Sequence, residues 1–291
     1  MIIAVACFAS WMAAFLLTEE TVPEEALRQK KERRAPAENN VIKEIAFSYV
    51  QLVKLRPMRI LIVYKAAFAC ALALFNVGTI YYMKYCAGMS NSYISGIYFI
   101  TIAVFLLTTP LINRMALHLG KSRQQMIMLG AAGIVGLAVY LLFCGSVAGA
   151  VIYVLFFAAA QNSFWQLSPS LFYDIVEVDE FVNGTRREGD IMSFVSVLGT
   201  LVTALIVQMF GVCFDASGYS ALKEVQGAET VAFLSLAYVL VPSICFLAGA
   251  AALKAFPIDK GTFTSLSAAV ALKKKGEAYS AYAADLEKIL K

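Results

Sequence analysis

The apolar residues of this chain fall into long unbroken runs separated by short polar breaks, not into the alternation of a half-buried strand or surface helix. Seven runs stand out, at about residues 1–17, 60–83, 93–112, 125–144, 149–173, 191–213 and 231–253. Each is near the ~20 residues that a helix needs to cross ~30 Å of hydrocarbon, so the pattern predicts an all-α membrane protein. The first run is short and begins at Met1 without the basic leader of a signal peptide. It reads equally as the remnant of a longer span. Residues 254–291 form a tail in which Tyr279, Tyr282, Leu286, Ile289 and Leu290 recur at helical spacing after Lys273, Lys274 and Lys275. That predicts a cytoplasmic amphipathic helix on the membrane surface.

Composition agrees: 60% of the 291 residues are hydrophobic, 15% are charged, and the mean hydropathy is +0.72. A soluble domain with that composition would expose too much apolar surface. The placement of charge sets orientation. The connection 18–59 holds nine basic residues, 113–124 three, 174–190 two and the tail from Lys254 seven, whereas the alternate connections hold only Lys84 and Lys223. By the positive-inside rule the first set faces the cytoplasm, and the loop 214–230 faces outward. Lys65 alone falls inside a run and reads as a side chain snorkelling toward the headgroups. The six cysteines lie mostly in apolar runs, without a CxxC pair, and read as small buried hydrophobes; a Cys86–Cys213 bridge is the alternative for that pair. With His118 as the single histidine, a histidine-cluster metal site is excluded.

The order is one span (1–17), a polar linker (18–59), six closely spaced spans (60–253) and the tail. A charged linker joining two six-helix bundles is expected in a twelve-span transporter, with 1–17 as the sixth span. Seven spans also fit an autonomous receptor-like protein, although the long linker after the first span argues against it. A transport-inactive remnant is a further alternative.

Residues 174–189, Asp-Ile-Val-Glu-Val-Asp-Glu-Phe-Val-Asn-Gly-Thr-Arg-Arg-Glu-Gly, crowd acids and two arginines between apolar runs. This stretch resembles the hinge between spans ten and eleven of the glycoside–pentoside–hexuronide:cation symporters, the melibiose-permease-like branch of the major facilitator superfamily. Asn113-Arg114 through Gly120-Lys121-Ser-Arg123 is similar to the turn between spans eight and nine, and Tyr81, Tyr82 and Tyr85 also fit. The resemblance covers the chain from span six onward. It implies a major facilitator C-terminal six-helix bundle with one preceding span, acting in the cytoplasmic (inner) membrane. The partners it implies are a sugar or glycoside, the lipid bilayer and an N-terminal six-helix half; nucleic acid is not expected. The coupling cation, Na⁺ or H⁺, is expected to bind in that other half, and no cofactor is expected. The family tends to carry a lysine in span eleven, 14 residues after the first hinge arginine. Here that position is Thr200, and 191–213 contains no lysine.

The resemblance also implies a sugar-site tryptophan at Trp165. An indole face can stack on the apolar face of a pyranose while amides and hydroxyls bind its polar edge. Gln161, Trp165 and Ser168 share one helix face with Asn162 adjacent, and Asn76 lies mid-span in 60–83. Ser193, Ser196 and Thr200 form a stripe on the sixth of these spans. Each has a structural alternative as packing or helix–helix glue. In the hinge, read as a loop, Asp174, Glu177, Glu180, Arg186, Arg187 and Glu188 are candidates for a cytoplasmic gate that pairs with Arg114 and Lys121 of the 113–124 turn. Arginines at a helix start need acidic partners against the dipole. No apolar run contains a carboxylate, and no nucleophile–base grouping or phosphate-binding loop is present, so an enzyme is not expected.

Overall fold

The computed structural model describes Met12 and residues 41–290, with side chains from Phe47 onward. The first expected span and most of the linker lie outside the described residues. The chain divides into two compact units, Met1–Ile45 and Ala46–Lys291, and the helical bundle belongs to the second.

The end of the stretch read as linker is helical. Helix α1 covers Val41–Lys54, and Arg56 already opens α2, with Pro57 in its first turn where no amide is needed. Among the described residues, six helices are long and apolar enough to cross a membrane: α2 (Arg56–Cys86), α3 (Asn91–Leu119), α4 (Lys121–Leu142), α5 (Val147–Asn183), α6 (Glu188–Ala216) and α7 (Ala228–Lys254). They coincide with the six runs from residue 60 on, but most extend further. The polar ends read as loops are helical because they contain no breaker. In 174–183 the acids alternate with buried Ile175, Val176, Val178 and Phe181, and the helix stops only at Gly184, left-handed at φ 72°, whose amide returns to the Glu180 carbonyl at 2.9 Å. The 113–124 turn likewise reduces to Gly120, at φ 87°.

Helices α2, α4, α5 and α7 form the packed centre, while α3 flanks α5 and α6 flanks α2. Phe68 of α2 stacks on Phe164 of α5 at 3.5 Å between centroids, Phe75 stacks on Phe157 at 3.9 Å, and Tyr238 of α7 joins Phe75 at 5.5 Å. With lipid as apolar as the core, packing and hydrogen bonds hold such helices together. Small residues permit close approach: a Cβ on Gly136 of α4 would overlap the Ser243 hydroxyl of α7. Pro242 has no N–H for the carbonyl of Tyr238, and α7 widens to a π-turn over Leu236–Leu240. The buried Tyr153 hydroxyl donates to that freed carbonyl at 2.8 Å. At the opposite end from the hinge, Tyr81 and Tyr85 gather with Phe214 and Tyr219.

The tail folds onto the bundle. Helix α8 (Lys260–Lys275) is capped by Asp259 and packs on α5, and α9 (Ala283–Leu290) packs on α2. Leu266, Val270, Leu286 and Ile289 are buried there, whereas Tyr279 and Leu290 of the expected apolar face are exposed. Cys86 and Cys213 are both free thiols; Cys86 lies against the Val231 carbonyl at 3.7 Å, and the alternative bridge is not formed.

Candidate functional site

Two groups of polar side chains stand out, one at mid-span and one at the hinge. At mid-span, α5 carries Trp165 nine residues before Asp174, about 14 Å of helix rise from the hinge end. Its ring is 53% exposed, and it packs edge-on to Phe164 at 5.5 Å. Pro169, one turn on, cannot donate to the Trp165 carbonyl. Lys65 of α2 places its Nζ 4.9 Å from the Phe164 ring centroid and 5.8 Å from that of Trp165. It therefore does not snorkel to the nearer helix end. It reaches across to α5, and the space it fills borders α6 at Gly199, where a Cβ would lie 3.0 Å from Lys65 Cε.

The other candidates divide. Asn76 lies eleven residues, three turns, from Lys65 on the same side of α2 and is exposed. Gln161, one turn before Trp165, is half-buried, and no described group hydrogen-bonds to it. Ser196 and Thr200 are exposed on α6, beside Gly199 in sequence. Each donates one turn back, to the Met192 carbonyl at 2.9 Å and the Ser196 carbonyl at 3.0 Å, leaving the oxygens free to accept. Asn162 is different. It is buried, and its amide donates to the Phe105 carbonyl at 2.9 Å and to Thr108 at 2.8 Å, while its oxygen accepts from Gln166 at 2.9 Å. It joins α5 to α3 beside Pro110, so its expected place on the open face is corrected: its amide is spent on the neighbouring helix. Ser168, expected on the Trp165 face, is buried as well.

At the hinge, Asp174, Glu177 and Glu180 lie on a helical extension of α5, Arg186 and Arg187 stay in the short connection that follows Gly184, and Glu188 opens α6. Lys121 reaches Asp174 at 2.7 Å and also donates to the Ser170 hydroxyl at 3.0 Å. This is the single ion pair, among the described residues, between the hinge acids and the basic turn. Arg114 is exposed and pairs with no described carboxylate. Arg186 instead turns inward to Glu177 at 3.0 Å, Glu180 at 3.5 Å and Glu188 at 2.5 Å. Its guanidinium is held above its ordinary pKa, first by the bond to Glu188. Arg187 forks onto Asp179, at 2.8 and 2.5 Å, and donates to Gln51 of α1 at 2.8 Å. That fork holds Arg187 above its ordinary pKa too.

Four participants escaped the sequence reading. Asp179 is fully buried, Lys274 pairs with Glu180 at 2.7 Å, Lys273 donates to the Phe181 carbonyl at 2.5 Å, and Lys65 faces the tryptophan. For Asp179 the signal was available: with 174–183 helical, it follows the buried Ile175 by one turn. For the lysines no local pattern exists, because their partners are 92 or more residues away.

Among the described residues, six membrane-length helices carry an exposed polar group at mid-span and a charged hinge end. Residues 1–260 match the family described as MFS/sugar transport protein. The chain belongs to that family. No curated protein matches it. As a member of the MFS/sugar transport protein family it is a multi-pass, all-helical membrane transporter with the major facilitator fold, in line with the resemblance carried by residues 174–189. Within that family frame, the exposed mid-span group around Trp165 is the candidate substrate surface, and the ion-paired hinge is the candidate moving part.

Proposed function

We propose that this chain supplies one of the two bundles of a sugar:cation symporter and forms one wall of its sugar pathway. The observation that carries the reading is a half-exposed indole, Trp165, at mid-span on the face it shares with the unbonded amide of Gln161. An aromatic face with free polar groups beside it suits a pyranose. The exposed hydroxyls of Ser196 and Thr200 and the amide of Asn76 extend the polar surface across two more helices. A second bundle, rocking against this one about the site, would give alternating access.

The hinge serves as the cytoplasmic gate. Lys121–Asp174 ties α4 to α5, Arg187–Gln51 ties the α5–α6 connection to α1, and Lys274–Glu180 ties α8 to α5. Such pairs, if broken on opening, bias a two-state motion. The basic residues put this end and the C-terminus in the cytoplasm, and the membrane is the cell (inner) membrane. The described carboxylates lie at helix ends, in connections, or on the hinge extension of α5, so we assign the coupling cation, Na⁺ or H⁺, to the other bundle.

Uptake of labelled sugars into proteoliposomes, with and without an imposed Na⁺ or H⁺ gradient, tests the reading. Trp165→Ala should lower uptake at least ~10-fold, the loss of about 1.4 kcal/mol of binding, while Trp165→Phe keeps most of it. Equal uptake by Trp165→Ala at equal protein level would remove the stacking role. Uptake indifferent to both gradients would remove symport.

A further inference from the structure

We propose that the groove between α1, the start of α2 and the start of α6 binds an anionic phospholipid. The groove lies at the end of the bundle that the basic residues assign to the cytoplasm, away from the mid-span group around Trp165.

The chain turns from α1 into α2 at Leu55, the one residue between them, whose backbone is extended at φ −68° and ψ 122°. That corner brings Lys54, the last residue of α1, and Arg59, the fourth of α2, to the rim of a groove of about 540 Å³. Tyr49, Val50 and Val53 of α1 and Phe194 of α6 line the rest. Tyr49 packs edge-on to Phe194 at 5.0 Å, and its hydroxyl lies 3.1 Å from that of Ser193, so the junction of α1 with α6 is fixed. Val50 and Val53 are nevertheless 54% and 38% exposed. Lys54 and Arg59 are exposed too, and no described carboxylate pairs with either. Asp190, the acid that α6 brings to α1, accepts from Ser48 at 2.8 Å.

Depth selects the ligand. Arg59 immediately precedes the apolar run 60–83, and Phe194 is the fourth residue of the run 191–213. The groove therefore straddles the level at which headgroups give way to acyl chains. Its apolar wall continues into the span, because exposed Val63 follows Arg59 on one face of α2, and exposed Val197 and Leu201 follow Phe194 on one face of α6. Two cations at headgroup level, with an apolar track leading away from them, match a phosphodiester joined to acyl chains. The guanidinium can fork onto two phosphate oxygens, and the ammonium adds a point charge. A free phosphate would leave the apolar wall bare. A zwitterionic lipid would bring its own cation against Lys54 and Arg59. An anionic phospholipid satisfies wall and rim together, and such lipids are found in the cytoplasmic leaflet. Bound there, it would bridge α1 to α2 and α6 one turn from Gln51, the partner of Arg187.

Native mass spectrometry of the purified full chain in detergent tests this, with phosphatidylglycerol titrated against phosphatidylcholine of the same chains. Phosphatidylglycerol should bind at least ~10-fold tighter. The double variant Lys54→Gln/Arg59→Gln should lose that preference. Lys254→Gln/Lys260→Gln removes the same charge from two other exposed lysines and should keep it. In the unaltered chain, phosphatidylglycerol with a diazirine in its acyl chain should label residues 50–53 and 194–201 ahead of the other exposed apolar positions. Equal affinity for the two lipids overturns the proposal, and so does an equal loss in the two double variants. Labelling spread evenly over α3, α4 and α7 overturns it as well, and that measurement needs no variant, so a misfolded double variant cannot rescue the idea. Displacement of the lipid by glycerol phosphate at equal concentration would reduce the groove to a phosphate site and overturn the lipid assignment.

Discussion

Asp179 has no exposed surface, and the forked guanidinium of Arg187 answers both of its oxygens. Breaking the pair from the arginine side leaves a buried carboxylate with only the Asn183 amide, at 2.7 Å, to answer it. Arg187→Ala should therefore cost about 3–5 kcal/mol, with Arg187→Lys intermediate because an ammonium cannot fork. Asp179→Asn in the Arg187→Ala background should return part of the loss. Unfolding in mixed detergent would measure all three, and an Arg187→Ala protein as stable as wild type would show the pair to be idle. Tyr153 is the neutral counterpart. Its hydroxyl serves the carbonyl that Pro242 cannot, so Tyr153→Phe should cost about 1–3 kcal/mol by the same assay. A variant within experimental error of wild type would mean that water or the π-turn satisfies Tyr238 unaided. Helical spacing from Ile175 could point Asp179 inward, but neither residue's partner was legible in the sequence. A tyrosine and an aspartate were visible, but their partners depend on which faces the helices turn toward one another.

Between whole helices, the contact of α4 with α7 depends on what Gly136 lacks. Gly136→Ala places a methyl group into the Ser243 hydroxyl, an overpacking that should cost about 1–3 kcal/mol. Ser243→Ala in the same protein removes the clashing oxygen and should recover much of it. A double variant no better than Gly136→Ala would put the strain elsewhere. Helix α8 starts at a capping box: the Asp259 carboxylate accepts from the Gly261 and Thr262 amides at 3.0 and 2.9 Å, and the Thr262 hydroxyl accepts from the Asp259 amide at 2.8 Å. The bond from the Thr262 amide leads in holding this carboxyl below its ordinary value of about 3.8. A depressed folded value means that the stabilisation is complete above the ordinary value and lost as pH falls through the folded one. Amide exchange at Thr262 should thus be protected at neutral pH and lose that protection only below about pH 4. Asp259→Ala, costing about 0.5–2 kcal/mol, should lose it at all pH values. The existence of these helices was legible from apolar runs. Their ends were not, because the charges of 174–183 resemble a loop until their ion pairs are known, and only Gly184 marks the stop.

Across the whole molecule, α6 shows how the bundle divides its surroundings. Ser196 and Thr200 are exposed along one side, and Leu201, Leu205 and Val212 along another. If the first side lines the sugar pathway and the second meets lipid, a cysteine at Thr200 should react with a water-soluble thiol reagent far faster than one at Leu205. The native cysteines would be replaced first. Equal labelling of both positions would mean that the polar side faces lipid as well.

The sequence by itself determined that this chain is helical, crosses a membrane repeatedly and belongs with sugar transporters. Run length against bilayer thickness, the asymmetry of basic residues and the residue 174–189 motif are all local quantities. Only the tertiary structure decided which polar residues are spent and which are free. Asn162 and Trp165 sit three residues apart on one helix, yet one is consumed by α3 and the other stands exposed beside a lysine from α2. A helix turns 100° per residue, so positions three apart point only about 60° from one another, and the edge between a face that meets protein and one that does not falls between such neighbours. Which face meets which neighbour is set by packing between segments far apart in the chain.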